Sequence, residues 1–464
     1  MLPLAAIFVV AVALRLVLAL LNDASNDDHL LVVELLLDGH RHLTMNDCYQ
    51  CFHPKLFHAA AALLIRVLGV STVFGERCLG QLLNAATGIV VLMILHRFLC
   101  RLRLAPSVRL LVLALAALNP AFLAINVQFT NDSLTILLAV AGTFWLARFA
   151  DERKLRHFAC AAVCLTLAFA SKGTAWVAGI AALLSLLVGA LARERETELR
   201  RRWNLLLAGI LAVMLISAIG TAGYDFKNYR KHAGFAEIRQ LSLFHRTPVA
   251  RPGVMSIFDG YLTFKLADLV HSPYTNNGQL PDPPHRTSVF SQLYGRLHFL
   301  HLGSWPRAWQ LQDKAYFNVG RWNLMLGLVP TSLFLLGLGI ALCRQAVALR
   351  QNGPLAWLRS QAEPGLLCLL LCLGYLAFIV GFTAAYRDFS VIKPIYLFPG
   401  MLGFVKLLAD GYQFAHDRLE RARRTWLALM AASFLLLAGY AADVLVLAGQ
   451  LIARNGATLA TWLP

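Results

Sequence analysis

The chain has 464 residues, of which 58% are hydrophobic and 14% charged, and its mean hydropathy is +0.61. That balance excludes a soluble globular fold of this length and describes a polytopic membrane protein. The formal net charge of +17 points to membrane lipids with anionic headgroups as partners rather than to nucleic acid, because most of the surface must face lipid and no nucleic-acid module is present.

Apolar runs of the kind that cross a hydrocarbon core fall at 2–21, 76–96, 107–125, 131–149, 157–171, 174–192, 203–222, 323–343, 365–385, 395–410 and 425–449. Each needs about 20 residues as a helix, so the expected fold is an all-α polytopic membrane protein with about 11 transmembrane helices. The first run has no basic n-region and carries Arg15 at mid-span, which reads as an uncleaved helix and not as a signal peptide. Alternate short loops hold Arg97 to Arg109, Arg148 to Arg156, Arg193 to Arg202, Arg344 to Arg359 and Arg418 to Arg424, and these basic loops are expected on the cytoplasmic side. Loops 22–75 and 223–322 then face the opposite side. The expected division is a module 1–222 that contains the first outer loop, a large outer loop 223–322, and a second membrane module 323–464.

Asp27 and Asp28 stand just beyond the first helix. A carboxylate costs roughly 2.5 to 3.5 kcal/mol at a bilayer centre, so acidic residues this close to hydrocarbon mark function or a water-filled cavity. After His29 comes an amphipathic stretch, Leu30 to His42, expected to lie in the interface. It is followed by Cys48, Tyr49, Gln50, Cys51, Phe52, His53, Pro54, Lys55, Leu56, Phe57 and His58. Cys48, Cys51 and His53 are half of a tetrahedral zinc set; a Cys48–Cys51 disulfide and two free packing thiols are the alternatives. No metal site is assigned.

Loop 223–322 holds twelve Lys or Arg against six Asp or Glu. It reads equally as a basic vestibule for a phosphate or anionic saccharide and as a solvated surface. Tyr224, Phe226, Tyr261, Phe264, Trp305 and Trp309 are among its many aromatic residues, and prolines 273, 281, 283 and 284 break any long helix. Short helices packed as a lid are expected, with rings that stack on sugars or anchor at the interface.

The acidic pair after the first helix, the amphipathic juxtamembrane segment and the run Cys48 to Phe57 resemble the glycosyltransferase C superfamily, the multi-spanning enzymes that include protein O-mannosyltransferases and lipid A aminoarabinose transferases. Asn131, Asp132, Ser133 and Leu134 resemble an NDxL element of that group, Ser171 to Thr174 an SKxT turn, and Tyr386 to Pro399 a late loop ending in KxxYxxP. The chain departs from the pattern at Lys55, where a second proline is common, and at Ile395, which separates Pro394 from Tyr396.

The resemblance implies sugar transfer from a polyprenyl-phosphate donor to a lipid, glycan or protein hydroxyl at the extracytoplasmic face of the plasma (inner) membrane, with no cofactor. Divalent cation dependence is not indicated. The attacking hydroxyl must lose a proton, and Asp27 is the expected general base with Asp28 its partner, since two adjacent like charges push one pKa upward. Capping of the juxtamembrane helix is the alternative. Lys172, Arg387 and Lys393 are expected at the donor phosphate, or else as snorkelling anchors. Asp132 is expected to position substrate, or to cap its helix with Asn131. His53 and Lys55 are expected to bind substrate, His53 at the acceptor or the donor, and His58 either does the same or packs at the interface. Two rival readings are a lipid or solute transporter and an O-antigen ligase or polymerase. No inverted repeat supports the first, and the leading carboxylates argue against the second.

Overall fold

The computed structural model describes residues 2–22, 29–40, 43–44, 47–191, 198–221, 257–271, 273, 287–299, 314–360, 364–386, 392–419 and 422–460, and among them there is no strand. The chain opens with α1 (Leu2–Leu21), α2 (His29–Leu37), α3 (Leu56–Leu68), α4 (Val73–Leu99), α5 (Pro106–Leu118), α6 (Pro120–Asn126), α7 (Asp132–Glu152), α8 (Leu155–Ser171), α9 (Trp176–Leu191) and α10 (Glu198–Thr221). The large loop contributes α11 (Ile257–Leu262), α12 (Leu266–His271) and α13 (Val289–His298). The second membrane region holds α14 (Lys314–Leu326), α15 (Leu328–Ser360), α16 (Pro364–Tyr386), α17 (Met401–Leu419) and α18 (Arg423–Ala460).

Among the described residues, seven helices are long and apolar enough to cross a membrane, or eight if α5 and α6 form one bent span. The expected eleven are therefore not all matched, and the shortfall has local causes. The helix of run 157–171 and the apolar part of α10, Arg202–Ala218, are apolar but shorter than a full span. In run 395–410, Pro394 and Pro399 each sit in a short 3-10 turn, so α17 begins only at Met401.

Run 107–125 is broken by Pro120. It lacks the N–H of a continuing helix and pushes Asn119 to an extended ψ of 123°, and the two halves meet at 52°. Asn119 restarts the helix by accepting a hydrogen bond from the Phe122 amide at 3.0 Å. The interrupted end of α5 leaves carbonyls that have no helical partner. Arg15, fully buried in α1, serves one of them: its Nη1 donates to Ala117 O at 3.0 Å, while its Nε donates to Asn126 Oδ1 at 3.1 Å. Its guanidinium lies 5.3 Å from the Phe122 ring centroid.

The helix ends fall into two groups. At one end, Asn22 after α1 donates to Val127 O (2.8 Å), Asn131 before α7 donates to Ser171 O (3.1 Å), Asn119 donates to Leu297 O (3.0 Å) and Arg296 donates to Ile392 O (2.8 Å). The first-loop helices join that end, with Leu30, Val33, Phe57, Ala61 and Ile65 packed against Phe129. The amphipathic stretch expected at 30–42 is helical only from His29 to Leu37. At the other end Arg101 pairs with Asp151 at 2.6 Å, and the Ala105 amide donates to Gln413 Oε1 at 2.7 Å.

Candidate active site

The start of α7 carries the densest chemistry. Asn131 precedes the helix without capping it through its side chain. Asp132 is the first helical residue, and both its carboxylate oxygens are engaged elsewhere. Lys172 Nζ donates to Oδ1 at 2.7 Å and Thr130 Oγ1 donates to Oδ2 at 2.9 Å. The ion pair is nearly enclosed, with side-chain exposures of 11% for Lys172 and 8% for Asp132. Lys172 therefore does not snorkel, and Asp132 does not cap. The pair is held in place by Asn131, bonded to Ser171 O, and by Thr135, whose hydroxyl lies 3.0 Å from Ser171 Oγ. Asn84, inside α4, donates at 2.6 Å to Gln128 O and at 2.8 Å to Thr130 O, fixing the turn that delivers Asp132.

Three imidazoles gather beside the ion pair. His29 Nδ1 and His58 Nε2 are 3.0 Å apart, and the two rings stack with centroids at 5.2 Å. His53 stacks on His29 at 6.2 Å. Burial pushes the His29 imidazole down to about 3, and the Lys172 charge adds to the effect. Burial likewise holds His53 and His58 well below the ordinary histidine value, so all three are neutral near pH 7. His58 is fully buried.

The two cysteines of the first loop are joined as a disulfide, Cys48–Cys51, with their Cα atoms 5.1 Å apart. That choice among the open alternatives removes both thiolates from any zinc set. The bridged residues start a 3-10 turn, Tyr49–Phe52, and Lys55 folds back onto it: its ammonium donates to Cys51 O and, at 2.5 Å, to His53 O. Lys55 thus caps the turn that carries His53.

From the second membrane region comes the segment 392–400. Lys393 precedes the turn Pro394–Tyr396, and the Tyr396 ring centroid lies 5.9 Å from Lys172 Nζ. Arg296 of α13 holds this segment through Ile392 O, and Val289 and Leu293 of α13 pack with Ile379 and Ile392. The structure thus brings His53, Lys55, Asp132 and Lys172 to one end of the molecule, with Tyr396 beside Lys172. Asp27, Asp28 and Arg387 lie outside the described residues. His29, Asn84 and Arg296 received no role in the sequence reading. Asn84 had a usable signal, a polar amide inside an apolar run; the tertiary contact of Arg296 had none.

Residues 53–220 match the family described as dolichyl-phosphate-mannose-protein mannosyltransferase. No curated protein matches the chain. Among solved structures, the archaeal oligosaccharyltransferase AglB of Archaeoglobus fulgidus, in complex with an inhibitory peptide and a dolichol-phosphate, is 11% identical with a TM-score of 0.51, over 97% of this chain and 56% of that one. This chain therefore spans little more than half the length of the archaeal enzyme. ArnT of Cupriavidus metallidurans bound to undecaprenyl phosphate is 14% identical with a TM-score of 0.37, over 89% of this chain and 79% of that one. The described elements are all helical, with the spans of a multi-pass membrane protein; the chain shares its fold with the archaeal oligosaccharyltransferase and, through residues 53–220, is similar to the dolichyl-phosphate-mannose-protein mannosyltransferase family.

Proposed function

We propose that the chain is a membrane glycosyltransferase that moves a sugar from a polyprenyl-phosphate donor to an acceptor hydroxyl at the extracytoplasmic face of the plasma membrane. The observation that supports this most is the Lys172–Asp132 pair: one buried ammonium stands among the histidines of the first loop and under Tyr396 of the late segment. A lipid phosphate leaving group needs such a cation at the membrane surface, where its developing charge is poorly solvated. Lys172 is the donor-phosphate residue in this reading, held in register by Asp132, and His53, Arg387 and Lys393 are assigned to donor binding with it. Lys55 acts through the turn that presents His53. Asp27 takes the acceptor proton as general base, a role that contributes roughly 10²- to 10⁴-fold, with Asp28 as its partner. In this reading the outer loop 223–322, between the membrane modules 1–222 and 323–464, serves as the lid of the site.

The test is transfer by membranes containing the protein, given labelled polyprenyl-phosphate sugars and candidate lipid, glycan and protein acceptors. Wild type is expected to transfer and Asp27→Asn to lose about 10²-fold or more. Full transfer by both Asp27→Asn and Asp28→Asn removes the general base from the mechanism. Movement of lipid between leaflets without any transfer favours a transporter instead.

A further inference from the structure

Lys55 ties two carbonyls together, and one of them belongs to a bridged cysteine. Its ammonium donates to Cys51 O and, at 2.5 Å, to His53 O, so a displacement of Cys51 carries His53 with it. The His53 ring centroid lies 6.2 Å from that of His29, the first residue of α2. His53 is half-buried whereas His29 and His58 are enclosed, so among the three rings it has surface that a ligand can reach. The turn Tyr49–Phe52 that places Cys51 is closed by Cys51 N–H to Cys48 O at 3.0 Å and by His53 N–H to Gln50 O at 3.1 Å, and the Cys48 side chain does not cap it. Turns of this 3-10 type have poor hydrogen-bond geometry. A covalent constraint is added by the bridge, which joins the two ends of the turn and packs with Val32 of α2 and Leu43, with Leu35 and Leu36 beside it. Cys51 is fully enclosed there. Two separate thiols need more room than one bonded pair, and an enclosed cluster gives that room only by moving the turn away from α2.

We propose that the Cys48–Cys51 bridge is a positioning element for donor binding: closed, it seats the turn through which Lys55 holds His53 against His29, so the site is complete only after the two thiols are oxidised. The proposal rests on the glycosyl-transfer reading, in which His53 binds the donor. Closure is a thiol–disulfide exchange. The two thiols give up two protons and two electrons, the S–S bond forms between Cys48 and Cys51, and the disulfide of an oxidoreductase on the same face of the membrane is reduced to a dithiol. The cysteines are three residues apart, so the closed loop restrains the unfolded chain little, and the effect of the bridge is local to the turn.

The test uses the full-length protein in nanodiscs with ¹⁵N-labelled histidine and labelled undecaprenyl-phosphate hexoses and pentoses as donors. Cys48→Ala, Cys51→Ala and the double variant are each expected to raise the donor KM roughly tenfold, about the worth of one contact at the site, with kcat and the unfolding temperature little changed. The three are expected to match one another, because either loss removes the whole bond; additive effects of the two single variants would make them packing residues and overturn the proposal. Leu43→Ala takes packing from the same cluster but leaves the bridge. It is expected to lower the unfolding temperature without the rise in KM, and an equal rise overturns the proposal. Should the alanine variants not fold, wild type is reduced with dithiothreitol and reoxidised with oxidised glutathione, the bridge being followed by alkylation of the denatured protein. The KM is expected to rise and to return, and a reduced protein with the original KM overturns the proposal. The His53 resonances answer separately from transfer. If they do not move when the bridge is removed, the proposal fails; if they move in a protein whose wild type transfers nothing, the positioning stands and the enzyme reading fails.

Discussion

A buried ion pair is worth most to a protein as a constraint. Lys172 and Asp132 meet at 2.7 Å with little solvent around them, and the attraction between them largely repays the cost of desolvating both. Removing one partner leaves an uncompensated charge, a loss of about 3 to 5 kcal/mol, whereas removing both is often nearly neutral. Lys172→Met and Asp132→Asn are each expected to lower the thermal unfolding temperature in nanodiscs, and the double variant Lys172→Met with Asp132→Leu to recover most of it. None of the three is expected to transfer sugar. Equal melting of single and double variants would show that the two residues are not coupled. In the sequence each residue could be singled out by its type, but with an ordinary alternative beside it, a cap for one and a snorkelling anchor for the other. Only the hairpin of α7 and α8, which returns the chain to the same end after forty residues, makes them a pair. The same limit applies to Lys55, whose chemistry was visible but whose partners, Cys51 O and His53 O, were not.

At the scale of elements, apolar length was legible and interruptions were not. Asn119-Pro120 carried a break signal, yet the surrounding apolar residues made 107–125 read as a single straight span; the bend is tolerated because Arg15 and Asn119 serve the freed backbone groups. Helix contacts were also beyond reach, because lipid-facing and helix-facing residues are equally apolar. Helices α15 and α17 are in backbone contact. A Cβ on Gly411 would stand 1.8 Å from the Leu333 carbonyl oxygen, and one on Gly337 would stand 1.9 Å from that of Leu407. Backbone cannot yield as a side chain can, so the helices must separate. Gly411→Ala is expected to cost at least about 1 to 3 kcal/mol by overpacking, with a matching fall in melting temperature and in the yield of folded protein. Gly339→Ala, on α15 with nothing within 4 Å of the added carbon, is the control. It is expected to be neutral or to stabilise by roughly 0.5 kcal/mol through helix propensity. Similar losses from both would mean that the two helices are not in backbone contact.

For the whole molecule, the order of apolar runs and basic loops was enough to place the chemistry-bearing loops at one end. The structure agrees where it is described: Asn22, Asp132, Lys172 and Ile392 are tied into one group of helix ends, while Arg101 and Asp151 lie in the other. Composition carries this information because apolar length sets the spans and basic residues are retained on the side of insertion. It cannot say how far apart in the plane the loops sit, which is why the approach of Tyr396 to Lys172 had to be seen. The same two-ended arrangement makes a prediction about orientation. Ser71, just before α4, and Lys154, in the turn between α7 and α8, are both exposed and belong to opposite ends. Single cysteines at these positions can be introduced after the seven free cysteines are replaced and the Cys48–Cys51 bridge is kept. Ser71→Cys is expected to react with a membrane-impermeant maleimide in intact spheroplasts, and Lys154→Cys only after the membrane is permeabilised. Labelling of both from the same side would break the alternation of the helices. Labelling of Lys154→Cys alone from outside would invert the molecule, putting Lys172 and the histidines on the cytoplasmic face and requiring a donor presented from there.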